Sequence, residues 1–123
     1  MSVIGPVGAA LPNGGSYNSF VNGLVGASQI LARWVIVQTG HFYPNFPGCE
    51  VNCAVAPTSN QMAVISQNGS AVGTISVSSG ATLGSLSSSG TVALALGDVL
   101  EIVSGGTADA TWSTLSIGLR ASN

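Results

Sequence analysis

Residues 62–77 read MAVISQNGSAVGTISV, two Val- and Ile-rich runs joined by Asn68-Gly69. Asn-Gly supplies the two positive φ values of a type I′ turn, whose twist matches that of paired antiparallel strands. The stretch is therefore a β-hairpin, and a hairpin this apolar needs a larger sheet to join. The rest of the chain supplies it. Short runs rich in Val, Ile, Thr and aromatics recur at 16–24, 30–38, 49–56, 61–67, 70–77, 81–87, 91–96, 98–104 and 110–121, separated by Gly, Asn and Ser. No segment sustains a helical apolar period with caps at both ends. Eight or nine strands predict two packed antiparallel sheets. Gly97-Asp98 marks a second tight turn, and Gly105-Gly106 ends the strand after it. In the last run Trp112, Leu115, Ile117 and Leu119 nearly alternate with polar or small residues. The pattern slips by one residue between Trp112 and Leu115, which predicts a β-bulge.

The chain has 123 residues, enough for one domain and one core. Only 5% are charged, against about 25% in an average soluble protein, while 46% are apolar. That is more apolar side chain than one small core uses, so part of the surface is expected to be covered by other chains. Arg33 and Arg120 are the only basic residues. A nucleic-acid partner needs a clustered basic face, so this class is set aside. Residues 1–16 are rich in Gly, Pro and small apolar residues and are read as an extended N-terminal arm, with the β-sandwich domain over 17–123. Pro6 and Pro12, and the lack of Lys or Arg ahead of the apolar residues, argue against a signal peptide. No run approaches the roughly 18 apolar residues of a membrane span. A protein made in the cytoplasm, with no membrane partner, is expected.

Residues 40–53, GHFYPNFPGCEVNC, hold the one histidine and both cysteines. His41 has no nearby nucleophile and acid to form a triad, and its spacing to Cys49 and Cys53 matches no zinc pattern. It is read as a solvent-facing loop residue. In an extended strand Cys49 and Cys53 have α-carbons about 13 Å apart, beyond the roughly 7 Å limit of a disulfide, and share one face. Three readings stay open: two buried thiols, cross-links to neighbouring chains, or a local bond in a loop. Phe42, Tyr43 and Phe46 form an aromatic group suited to packing, to a subunit contact, or to a ligand platform joined by Trp34 or Trp112.

Asp98, Glu101 and Asp109 are weighed as a pair of hydrolytic carboxylates. Asp98 is accounted for by its turn and Asp109 by its loop. The residues assign no catalytic role, metal or cofactor.

FYPNF, AVAPT, ISQNGSAVGTISV, SGAT, ALGDVLEIV and ADATWSTLSIGL together resemble the small β-sandwich domains on virion surfaces of tailed bacteriophages: decoration proteins, head fibres and tail-fibre tips. The resemblance spans about residues 17 to 121. It rests on turn chemistry and strand pattern, with Asn68, Gly69, Gly97 and Asp98 matching on structural grounds. It implies a jelly-roll-like fold, a homotrimer, and a role in binding or covering, with no shared catalytic residues. The Cys49/Cys53 pair departs from the group and raises an inter-subunit disulfide as an added device. A single domain with a short arm implies a capsid decoration protein, seated on the major capsid protein through the arm and one end of the sandwich. A head-fibre or tail-fibre module that binds a host glycan is the alternative.

Overall fold

A computed structural model describes residues 13–123. Ten strands fill them: β1 (Asn13–Leu24), β2 (Ile30–Val35), β3 (Gly40–Phe42), β4 (Glu50–Val55), β5 (Gln61–Gln67), β6 (Ser70–Val77), β7 (Ser85–Ser87), β8 (Val92–Leu94), β9 (Val99–Ser104) and β10 (Ser113–Ser122). The first sheet runs β2-β9-β5-β6-β7; the second runs β1-β10-β3-β8, with β4 also paired to β10. Every pairing is antiparallel. The chain passes from sheet to sheet except along β3–β4 and β5–β6–β7. This is the all-β, jelly-roll-like sandwich that the turn spacing and the resemblance predict.

Period-2 alternation builds the core. Ala63, Ile65, Ile75, Val77, Leu100 and Ile102 from the first sheet meet Phe42, Val51, Cys53, Leu115, Ile117 and Leu119 from the second, all buried. Burying a side chain of this size contributes about 1.5–3 kcal/mol. Asn68 (φ 51°) and Gly69 (φ 87°) form the expected hairpin turn. The expected bulge lies at Thr114 (φ 58°), where the register against β1 shifts between Ser113 and Leu115.

Two boundaries differ from expectation. β1 opens at Asn13, so residues 13–16, expected in the arm, pair with β10 through Asn13–Ser122, Gly15–Ala121 and Ser16–Arg120. The Gly-rich run hid this because it carries no side-chain alternation, and its glycines serve close packing. A Cβ on Gly14 would lie 2.9 Å from the Gly40 α-carbon. The rest of the expected arm, residues 1–12, lies outside the described residues. The second difference is β3, three residues within a stretch read as a loop, pairing with β8 and, at Ser122, with β10.

Candidate interaction surface

His41 is on β3, opposite Ala93 and Ser122, and its ring meets Tyr43 edge-on at 4.5 Å. The solvent-facing loop reading is corrected: strand pairing holds its backbone, and its side chain is half-buried. Phe42 and Phe46 are each 2% exposed, with ring centroids 5.0 Å apart. Turn bonds from Phe46 N to Tyr43 O and from Cys49 N to Phe46 O fold the segment back, with Asn45 and Phe46 both at positive φ. Phe46 lands on Gly73 of β6, where a Cβ would sit 2.6 Å from its ring. Of the three platform candidates, only Tyr43 faces solvent. Phe42 and Phe46 are core residues, and Trp112 is buried too.

Both cysteines are free. Cys53 is 4% exposed and points its thiol at the Ala81 and Thr82 carbonyls at 3.7 and 3.6 Å. Cys49, half-buried just before β4, accepts the Arg120 backbone N–H at 3.2 Å. They share the inward face, as their spacing requires, with buried Val51 between them. An inter-subunit disulfide through Cys53 is therefore corrected, because its sulfur lies inside the sandwich. Burial pushes both thiols above their ordinary pKa; the Arg120 N–H for Cys49 and the Trp112 indole for Cys53 pull the other way.

The acids hold loops. Asp98 accepts from Asn68 Nδ2 (3.0 Å), Gln67 Nε2 (2.9 Å) and its own turn's Ala95 N (2.9 Å). Asn68 Oδ1 in turn accepts Val99 N at 2.9 Å, so the β5–β6 tip and the β8–β9 turn lock together. The Asn68 amide, with Ala95 and Gln67 after it, holds the Asp98 carboxyl below its usual range. Asp109 is buried and takes two donors each from Thr58, Ser59 and Thr111 and one from Trp112 N. The Thr111 N–H leads the bonds that hold its carboxyl far below the ordinary carboxylate value, against the opposing effect of burial. Asp98 and Asp109 lie beyond opposite ends of β9 and accept from separate sets of donors, Asn68 and Gln67 for one and Thr58, Ser59 and Thr111 for the other. Among the described residues no cluster of three His, Cys, Asp or Glu is placed to hold a metal.

The two outer faces differ. On the second sheet Ser16, Asn18, Glu50, Asn52, Ser116, Gly118 and Arg120 face outward, with Phe20 and Leu83, 62% and 69% exposed, at the two ends of the Ser116–Asn52 row. On the first sheet the outward positions carry Ile30, Val35, Met62 and Val64, which are 57%, 57%, 51% and 38% exposed, with Val99 and Val103 between them. In their midst Arg33 Nε and Glu101 Oε2 pair at 3.5 Å. At the sheet edges, an open groove of about 680 Å³ runs between Ala71–Thr74 and Ser87–Ala93, where Ser and Thr hydroxyls alternate with Ala, Val and Gly. The composition hinted at an uncovered apolar surface but not where it lay. Both phases of MAVI are apolar, so alternation alone does not say which half faces out.

No protein-family model matches this sequence, and no curated protein matches it.

Proposed function

We propose that the chain is a non-enzymatic structural protein of a bacteriophage virion surface: a capsid decoration protein that binds the shell and reinforces or covers it, as a homotrimer. One observation carries the reading. A rigid sandwich presents an apolar sheet face whose covering requires another protein surface, while Asp98, Asp109 and both thiols are taken up by loops and core. Exposed apolar patches of this kind mark contact sites. The test is cosedimentation of the purified protein with undecorated shells, together with its native mass. Binding to shells and a trimer mass support the proposal; a monomer that stays in the supernatant overturns it.

A second reading, a receptor- or glycan-binding module of a fibre, is favoured by the uncharged groove beside Ser88, Ser89 and Thr91. Hydroxyls and backbone amides suit a polyol ligand. Host polysaccharide that shifts the backbone amide resonances of Ser87–Ala93 supports it; unchanged resonances remove it.

A further inference from the structure

We infer that the outer face of the β2-β9-β5 region is a homotypic interface, and that its occupant is the same face of a second copy of this chain. The inference rests on the self-association in the reading above and not on its virion setting; a two-fold contact joins copies in pairs, so beside a homotrimer it links two trimers. The apolar residues divide into two groups about the ion pair. Val35 pairs with Val99 on one side, while Ile30 pairs with Val103, next to Val64, on the other. Arg33 pairs with Glu101 in the row between them.

A surface laid over this face has to offer a carboxylate near Arg33, whose side chain is 61% exposed, and a cation near Glu101, whose side chain is 31% exposed. Otherwise it strips water from two charges held only by one 3.5 Å contact with each other. A second copy turned by a two-fold rotation meets both needs. With the two-fold axis parallel to the strands, its Glu101 faces Arg33, its Arg33 faces Glu101, and each apolar group faces its own copy, Val35 against Val99 and Ile30 against Val103. Such self-complementarity is the rule for isologous contacts. The area fits as well. The accessible surface is 5920 Å², and a stable interface takes about 800 Å² per partner, about a seventh of it. A broad face of a two-layer slab supplies that much. The outer face of the second sheet is the rival, with Phe20 and Leu83 exposed at the ends of its Ser116–Asn52 row.

The full-length chain tests this by sedimentation velocity. Arg33→Glu makes the pair all acidic and Glu101→Arg makes it all basic, so each variant alone is expected to repel its own copies and lose association at least tenfold. An equimolar mixture of the two restores opposite charges across the interface and should regain the wild-type mass. Val64→Lys, at an exposed position, gives an independent block, and circular dichroism confirms that each variant is folded; Met62→Glu replaces any that is not. Variants that all keep the wild-type mass, or a mixture of dissociated variants that stays monomeric, overturn the inference. A monomeric wild type overturns it too. A trimer untouched by every variant leaves the homotrimer standing and removes this face, whereas a dimer dissociated by the variants keeps the face and removes the trimer.

Discussion

At the scale of single residues, the buried Asp109 carboxylate ties two segments of chain, 58–59 and 109–112, around one charge. Its folded pKa is depressed, so from near 3.8 downward the unfolded chain takes up a proton that the folded chain refuses. The contribution is fully present above that value and drains away as pH falls through it; Asp98 follows the same sign. The midpoint of thermal unfolding should fall between about pH 4 and pH 3 in the wild type. Asp109→Asn should melt lower at neutral pH, because an amide cannot accept all these donors, and should show a shallower acid decline. Gly73→Ala pushes a Cβ to 2.6 Å from the Phe46 ring and 2.9 Å from the Ser87 carbonyl. Denaturant titration should show a loss of about 1–3 kcal/mol, as for other overpacked cores. The thiols should alkylate slowly in the native state, Cys49 ahead of Cys53, and both rapidly in guanidinium, followed by mass spectrometry.

At the scale of elements, two turns explain much of how the sheets are held in place. Asn68 both adopts the left-handed conformation and bridges to Asp98 and Val99. Asn68→Ala should cost about 1–2 kcal/mol for the conformation alone, with the lost bonds added, and Asn68→Gly clearly less. Thr114, β-branched at φ 58°, holds the β10 bulge under strain. Thr114→Gly should raise stability by about 0.5–1 kcal/mol in the same titration. These elements also show what a sequence discloses. The hairpin and the bulge were readable because their causes are local: a dipeptide that wants positive φ, and an alternation that slips. β3 was not readable, since three residues cannot display a period and its partner strand lies some fifty residues on. The inward turn of Phe42 and Phe46 depends on Gly73 in another strand, and the second role of Asp98 depends on an amide thirty residues away. The apolar contact face was legible only as a surplus in composition.

At the scale of the whole molecule, the sandwich is a slab with unlike sides, one carrying valine, isoleucine and methionine, the other serine, asparagine and glycine with Phe20 and Leu83 at the edges. The whole chain carries six formally charged side chains, two basic and four acidic. Ionic strength therefore has little to act on, while sulfate strengthens apolar burial. Association measured by light scattering should change by no more than about twofold between low and moderate NaCl, and should rise steeply in ammonium sulfate.

The sparse charge of the outer faces has a consequence for suspensions. Charged colloids stay dispersed by repulsion and flocculate when salt collapses their ionic atmosphere. A surface with few charges has little ionic atmosphere to collapse, so particles wearing this slab with its second sheet outward would respond to brine far less than charged colloids do.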